Sequence, residues 1–338
     1  MGQVLNGGTY TMDLDAHEML SDLRAVLRAA APHSDPADVE LAAFWLVQAE
    51  LLGLPEFGIR MLARDLERLE GLESASAPVT PSGADDAPIG SVDATGVPGV
   101  VALASAVRRA ARNVEAHGLA IVGIRGAGAL GILGLAARAL AARGAVALLA
   151  AQSPATVAPW GGQAAAIGTN PLAVGVPRAD APPLVVDYAT STLTLAAVRE
   201  ARGAGVSLPE SSAVDAAGEP TTDPAAAAAL LPAGLVGSLT GLVVELLAGV
   251  AVGGRVTDPA APSSRGAVLI AFDPARAGGA DIAQATAALD REWRGAGGHL
   301  PARFDVLASN PADLPDAIRV SEETASWLRA RTTEAPGT

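Results

Sequence analysis

The sequence predicts an α/β fold in which a helical layer from both chain ends surrounds an inserted α/β core. Three observations support this class. Helical periodicity runs through residues 14–72, short continuous apolar runs bounded by glycine occupy the middle of the chain, and a helical pattern returns over residues 314–331. We therefore expect residues 1–75 and 290–338 to form a helical domain and residues 76–289 to form the α/β core.

The first seventy residues contain three apolar periodic stretches. Apolar residues recur at intervals of three and four around residues 20–27, 41–52 and 61–69, as in amphipathic helices. Residues 73–99 are rich in Ser, Pro, Gly, Ala and Asp, which indicates a long connection with one short strand near residues 89–92.

The next stretch predicts a β-α-β unit. A helix over residues 100–117 ends at Gly118, a strand covers 119–124, a helix over 131–143 ends at Gly144, and a strand covers 145–150. Further strands are expected at residues 172–176, 184–187 and 268–272. Further helices are expected at residues 193–201, 224–230, 241–252 and 282–293.

Two residue types are missing from the chain, and their absence excludes several kinds of chemistry. All 23 basic residues are arginines, because the 338-residue sequence contains no lysine, and it contains no cysteine. Without lysine there is no Schiff-base chemistry and no lysine-dependent phosphate loop. Without cysteine there are no disulfides, thiolate nucleophiles or thiolate metal sites, and we expect no metal centre.

The net charge of −13 argues against nucleic acid and anionic membranes as partners, since both require a basic surface. The first thirty residues lack the cationic and apolar regions of a signal peptide, so we expect a cytoplasmic protein. The most apolar stretch, residues 230–253, carries Ser238, Thr240 and Glu245 near its middle. This composition favours a buried helix over a membrane span.

Residues 126–131 fit the dinucleotide pattern G-x-G-x-x-G, after an apolar strand and at the start of a helix. In that interpretation the glycines allow the backbone to approach a pyrophosphate. The next strand, however, ends in Ala151-Gln152-Ser153, without the acidic residue that holds the ribose hydroxyls. The alternative is a chance match in a chain rich in glycine and alanine.

More specific motifs follow one another through the centre of the chain. They are Ala158-Pro-Trp-Gly-Gly162, Ile167-Gly-Thr-Asn-Pro171, Asp187-Tyr-Ala-Thr-Ser191, Asp215 to Pro224, Gly237-Ser with Val244-Glu-Leu-Leu247, and Ala271-Phe-Asp-Pro274. In this order they resemble the malate/L-lactate dehydrogenase family of type 2, which includes sulfolactate and ureidoglycolate dehydrogenases and piperideine-carboxylate reductases. The resemblance spans roughly residues 41–272.

The resemblance implies a non-Rossmann NAD(P)-binding core, with NADH and NADPH not distinguished, and an intimate homodimer. It also implies a small-molecule substrate such as a 2-oxo acid, a 2-hydroxy acid or a cyclic imine. The amphipathic segments 14–72 and 314–331 supply apolar faces that one thin core leaves uncovered. We therefore expect a two-fold symmetric dimer with the site near its interface.

Four polar positions of the family are replaced in this chain. The family's Ser-His-Gly falls on Glu56-Phe57-Gly58, which puts Phe57 in place of the acid/base histidine. A second histidine falls on Ala129, an arginine on Met61 and a lysine on Val236. Because reduction of a carbonyl or imine needs a proton donor, a rearranged donor is required. All four histidines of the chain are interpreted as surface residues: His17, His33, His117 and His299.

Three residues are candidates for that donor. Asp187 keeps the family's aspartate after an apolar strand, where a dry site raises a carboxyl pKa, or it caps the following helix through Thr190 and Ser191. Tyr188 carries a phenol that can donate a proton, or it packs at a helix start. Glu56 is either a new acid or a solvated turn residue.

The expected cofactor site is a glycine-rich loop, whose backbone N–H groups and short polar side chains can contact a nucleotide. A turn between two strands needs the same glycines. Because of the resemblance we assign cofactor binding to Gly161, Gly162, Gly168, Thr169, Asn170, Pro171 and Ser191. Arg125 follows a strand and either binds a phosphate or forms a surface salt bridge.

Three functions remain open on the sequence. The first is a divergent NAD(P)-dependent oxidoreductase of this family. The second is the same scaffold used for non-redox chemistry, as a lyase, cyclase or isomerase in specialised biosynthesis, without a cofactor. The third is a non-catalytic homologue that keeps the fold and the dimer interface.

Overall fold

The computed structural model describes residues 11–72, 80–82, 87–255, 264–300 and 302–334. The helices are α1 (Ala16–Ala30), α2 (Pro36–Leu51), α3 (Ile59–Glu70), α4 (Gly99–His117), α5 (Leu133–Ala141), α6 (Leu195–Ala204), α7 (Gly234–Val244, continued by a π-helical turn Glu245–Val250), α8 (Ile282–Gly295) and α9 (Glu322–Glu334). The strands are β1 (Thr11–Asp15), β2 (Thr80–Ser82), β3 (Ile89–Asp93), β4 (Leu119–Ala127), β5 (Val146–Ala151), β6 (Leu172–Val176), β7 (Leu184–Tyr188), β8 (Ala213–Val214), β9 (Pro220–Thr221), β10 (Ala229–Leu230), β11 (Arg265–Phe272) and β12 (Ala317–Ser321).

A mixed seven-stranded sheet forms the centre, in the order β2-β3-β4-β11-β5-β6-β7. Only β3 and β4 run parallel to each other, and the remaining neighbours are antiparallel. The predicted β-α-β unit is present as β4, α5 and β5, but β11 is inserted between its two strands. A mixed sheet of this order is not a Rossmann sheet, and the predicted α/β class is confirmed.

Alternation along β11 shows how the sheet is covered on both faces. Ala267, Leu269 and Ala271 belong to the main core, which includes buried residues of α4 and α5. Val268 and Ile270 pack with Val244 of α7 in a separate cluster. The sheet is therefore buried on both sides, which explains why β4, β5 and β11 read as continuous apolar runs.

The two chain ends meet through β1 and β12, which pair in antiparallel register from Thr11 opposite Ser321 to Asp15 opposite Ala317. Leu20 and Leu23 of α1 and Leu328 of α9 are buried in the same core as the sheet. The expectation that the helical ends leave apolar faces uncovered is therefore wrong. The predicted domain boundaries near residues 76 and 290 stay a prediction.

Two predicted helices contain strands instead. Residues 317–321 form β12, in which Ile318 and Val320 alternate toward the core with a period of two. The sequence-based prediction included this short strand in the helix that follows it. Residues 224–228 form a turn and residues 229–230 form β10, because the backbone of Leu230 is used by β8 and by Ala158. The helical start at Leu14 is also wrong, since Leu14 lies in β1 and Asp15 caps α1 through the amides of His17 and Glu18.

Buried carboxylates from other elements cap α3 and α4. An Oε1 atom of Glu50, at the end of α2, accepts a hydrogen bond of 2.8 Å from the amide of Ile59, the first residue of α3. An Oδ2 atom of Asp65, in α3, accepts a bond of 2.8 Å from the amide of Gly99, the first residue of α4. Burial raises the pKa of Glu50, and the bond from Ile59 opposes that effect. These bonds satisfy helix N–H groups that have no intrahelical partner.

We expect Glu50→Ala to destabilise the protein by about 1–3 kcal/mol, because the amide of Ile59 loses its acceptor inside the core. Glu50→Gln retains an acceptor oxygen, so its loss should be below about 1 kcal/mol. Urea unfolding followed by circular dichroism measures both changes. The exposed Glu67 of α3 gives the control, Glu67→Ala, with a change within about 0.5 kcal/mol. An equal loss in the Ala and Gln variants at position 50 would contradict the capping role.

Candidate active site

A cavity of about 720 Å³ lies between α3, the segment 129–133 that leads into α5, and the ends of β5 and β7. This volume is typical of small-molecule sites. Phe57, Met61, Ala129 and Leu130 form part of an apolar wall, so three of the four positions at which the resemblance predicts a replaced polar residue meet here. Val236, the fourth, is exposed on α7 and does not line the cavity.

Asp187 lies at the end of β7 and lines the cavity with only 9% of its side chain exposed. Its Oδ2 atom accepts a bond of 2.9 Å from the amide of Gly134 in α5 and lies 3.6 Å from a guanidinium nitrogen of Arg303. Burial raises the pKa of Asp187, while the Gly134 bond and the Arg303 charge oppose the rise. A carboxyl group that favours the protonated form at a cavity wall can donate a proton.

The alternative that Asp187 caps the following helix is wrong, since α6 is capped by Thr194, whose hydroxyl accepts from the amide of Ala197. Asp187 instead caps α5, fifty residues earlier in the chain. The neighbouring Tyr188 also lines the cavity, and 45% of the residue is exposed. The structure thus brings both candidates to one wall.

Glu56 lies on a 3₁₀ turn, Pro55–Phe57, and lines the cavity with 7% of its side chain exposed. The solvated-turn interpretation is therefore wrong. One of its oxygens lies 3.1 Å from Arg64 and 3.9 Å from Arg199, and the other lies 3.8 Å from Arg60. With three guanidinium groups around it, the Glu56 carboxylate is placed as a counter-ion.

Sequence analysis missed the arginine cluster, which we define as the five arginines that line the cavity: Arg64, Arg68, Arg199, Arg265 and Arg303. They face three lining carboxylates, Glu56, Asp65 and Asp187. Arg64 and Arg68 are four residues apart in α3, a spacing that places both on one helix face and was visible in the sequence. No sequence pattern connects them with Arg199 of α6, Arg265 of β11 and Arg303.

The predicted cofactor residues divide into two groups. Thr169 and Pro171 line the cavity, whereas Gly161, Gly162, Gly168, Asn170 and Ser191 do not. Asn170 is fully buried, and its amide oxygen accepts from the amide of Ser153 while its nitrogen donates to Gly241 and Glu245. Arg125 is 55% exposed and pairs with Asp93 at 3.0 Å, away from the cavity lining.

Structural demands account for the glycines of the G-x-G-x-x-G segment. Gly126 and Gly131 have φ angles of +69° and +82°, which favour glycine. A Cβ atom at Gly128 would collide with the carboxylate of Asp65, the cap of α4. The glycines therefore provide turns and a close contact, as the missing ribose-binding acid suggested.

All four histidines lie on the surface, and none lines the cavity. Within the described ranges, no cluster of His, Asp and Glu has the composition of a metal site. No described helix combines the length and hydropathy needed to span a membrane.

The family profile described as malate/L-lactate dehydrogenase matches residues 14–300. A (2R)-3-sulfolactate dehydrogenase (NADP⁺) of Chromohalobacter salexigens is 34% identical over 253 residues, which cover 70% of this chain and 74% of that protein. A Δ1-pyrroline-2-carboxylate/Δ1-piperideine-2-carboxylate reductase of Pseudomonas aeruginosa is 38% identical over 52% of this chain and 58% of its own. The crystal structure of a Δ1-piperideine-2-carboxylate reductase of Pseudomonas syringae superposes with a TM-score of 0.81 at 28% identity, covering 95% of this chain and 99% of that one.

We expect Asp187→Asn to become more stable relative to the wild type as pH rises. Because the folded pKa of Asp187 is raised, the folded wild type holds its proton where the unfolded chain has lost it. The contribution of Asp187 to the free energy of unfolding therefore falls as pH rises from about 4 through the folded pKa. The side-chain amide of the Asp187→Asn variant does not titrate and lacks this dependence. Urea unfolding of both proteins across this pH range measures the difference.

The control for this comparison is Asp223→Asn, because the exposed Asp223 also accepts a backbone bond, of 2.8 Å from Ala225. A stability difference between wild type and Asp187→Asn that does not change with pH would contradict a raised pKa.

Proposed function

The chain belongs to the malate/L-lactate dehydrogenase family, and we propose that it is an NAD(P)-dependent oxidoreductase that acts on a small 2-oxo acid, 2-hydroxy acid or cyclic imine. The observation that carries the proposal is the open cavity in which the retained Thr169, Pro171 and Asp187 meet. The names of the relatives, two of them dehydrogenases that use NADP⁺ or NAD⁺ and several of them cyclic-imine reductases, support the same reaction class.

The cavity lining fits a nicotinamide dinucleotide by its size and its charge. The guanidinium groups suit the anionic phosphates of such a cofactor, and we assign its binding to Thr169, Pro171, Tyr188 and Ala189. When bound, the cofactor supplies the hydride. Asn170 holds Ser153 by a 3.1 Å bond, and Ser153 accepts 3.1 Å from the amide of Thr169, so these buried groups fix the wall that contains Thr169.

Asp187 is our candidate for the proton donor, acting through Oδ1 or Oδ2 at the cavity wall. Its burial favours the protonated form, and its bond to Gly134 fixes its orientation. Glu56 is then a counter-ion for arginines and not an acid. A preformed iminium substrate would lessen the demand for a strong acid because its nitrogen is already charged.

A second candidate is a non-redox lyase, cyclase or isomerase step on the same scaffold. It is supported by Phe57 and Ala129 in the wall of a cavity that remains open, with Glu56, Asp187 and Tyr188 converging on it. Chemistry of this kind would need the acid and the arginines but no hydride source.

Fluorescence titration with NADH and NADPH separates the two candidates. The oxidoreductase predicts saturable binding of at least one of them, and absence of binding at millimolar concentration would exclude it. With the preferred cofactor, Asp187→Asn should reduce kcat on cyclic imines and 2-oxo acids by about a hundredfold. Tyr188→Phe should change kcat by less than about threefold, and the reverse order of effects would assign the proton to Tyr188.

We also propose a homodimer, with an interface different from the one expected from the sequence. The apolar face of α7, defined by Leu235, Val236, Leu239, Leu242, Val243, Leu246, Leu247 and Val250, is exposed, with Val236 at 76%. The exposed Trp160 lies beside it, since its amide donates to Ser238 at 3.0 Å. An apolar surface of this kind is typical of an obligate interface.

Light scattering should therefore give the mass of a dimer at micromolar concentration for the wild type and for Val306→Arg, and a monomer for Val236→Arg. Val306 is 84% exposed outside the apolar face of α7, so its variant controls for the added charge. A wild-type monomer, or a Val236→Arg dimer of unchanged stability, would contradict this interface.

A further inference from the structure

We propose that the arginine cluster binds an oxyanionic group that carries at least two negative charges, with Arg64 and Arg199 as its direct ligands. The inference deepens the proposed function by naming a ligand class. The proposed function is needed only to decide whether this group belongs to the substrate or to the cofactor. Anion binding itself can be measured in the absence of both.

The first argument is the charge of the cavity lining. Five arginines and three carboxylates leave an excess of two positive charges, in a chain whose net charge is −13. Two of the carboxylates, Asp65 and Asp187, are already bonded to helix N-termini. A concentration of one charge sign in a partly buried cleft attracts ligands of the opposite sign.

The second argument is that the arginines repel one another. Burial lowers the pKa of Arg199, and the neighbouring charges of Arg64 and Arg202 lower it further. Burial also lowers the pKa of Arg265; the charge of Asp65 opposes this effect, and the charges of Arg68, Arg199 and Arg64 add to it. A bound anion would relieve this repulsion.

The third argument is the geometry of Arg64 and Arg199. They approach one oxygen of Glu56 from two different helices, at 3.1 and 3.9 Å, so the pair already converges on an oxyanion. Their side chains are 37% and 47% exposed, which leaves N–H donors for a second one. Arg60 also pairs with Glu323 at 3.2 Å, but Arg64 and Arg199 share the single carboxylate of Glu56, which leaves part of their positive charge uncompensated. Planar guanidinium groups bind multiply charged oxyanions through paired hydrogen bonds.

The test uses isothermal titration calorimetry without cofactor, with inorganic phosphate, malonate and acetate as probes. We expect phosphate and malonate to bind at least about tenfold more tightly than acetate, because two charges interact with several arginines. Arg64→Gln and Arg199→Gln should each weaken both dianions by about tenfold. Arg319→Gln, which removes a 72% exposed arginine that pairs with Asp13 outside the cavity lining, is the matched control and should bind as the wild type does.

A second arm identifies the source of the oxyanion by titrating NADPH and NADH. If the group is the additional phosphate of NADPH, Arg64→Gln and Arg199→Gln weaken NADPH but not NADH, and bound NADPH displaces malonate. If it belongs to the substrate, both variants bind both cofactors normally, and malonate binds the cofactor complex.

Either pattern supports the cluster as the anion site. Equal binding of phosphate, malonate and acetate would overturn the proposal. It would also be overturned if Arg64→Gln and Arg199→Gln, with the melting temperature of the wild type, bound the dianions and both cofactors with unchanged affinity. Failure of the wild type to bind NADH or NADPH overturns the redox function and leaves the anion measurement interpretable.

Discussion

Three buried carboxylates fix the helices that form the cavity. Glu50 of α2 bonds to the start of α3, Asp65 of α3 bonds to the start of α4, and Asp187 of β7 bonds to the second residue of α5. Glu50 lies nine residues before the amide it binds, whereas Asp65 and Asp187 are 34 and 53 residues from theirs. The bonds of Asp65 and Asp187 are therefore long-range tertiary contacts as well as caps. A glycine makes room for each carboxylate: a Cβ atom at Gly58, Gly128 or Gly134 would press against Glu50, Asp65 or Asp187 respectively. These bonds therefore determine the positions of the helices that form the walls of the site.

Most of the secondary structure could be predicted because burial imposes a clear period on it. Helices α1 and α3 have an apolar stripe, whereas α2 is buried around most of its circumference. Strands β4, β5 and β11 are buried on both faces and so appear as continuous apolar runs. Residues 317–321 could not be separated from α9, since five residues of alternation beside a helix contain too little signal. The helix predicted over 224–230 failed for a different reason: its alanine-rich sequence favours a helix, but the backbone of Leu230 is required by two neighbouring segments.

The site could be predicted where its residues belong to one sequence motif. It could not be predicted where residues of several elements come together only in the fold. Asp187 and Tyr188 were found from a motif, and Phe57 and Ala129 from their register in it; the structure places all four around one cavity. Glu56 is buried beside Arg64, eight residues away, and Arg199, more than a hundred residues away. No local sequence pattern indicates this burial. The arginine cluster was invisible for the same reason, because Arg265 and Arg303 reach the cavity only through the sheet order and the path of the chain after α8.

The arginines and the buried acid have opposing effects, and a ligand would reconcile them. Positive charge near a carboxyl group favours its ionised form, so the cluster acts against protonation of Asp187. Burial wins for Asp187, because Arg303 is 3.6 Å away and 41% exposed to screening solvent. If a dianion occupies the cluster, it cancels much of the positive charge that Asp187 experiences and adds negative charge to the cavity. Both changes raise the pKa of Asp187 further, so a bound dianion would keep more of Asp187 in its protonated form. This coupling gives a physical reason for a buried acid and a group of arginines to lie around the same cavity.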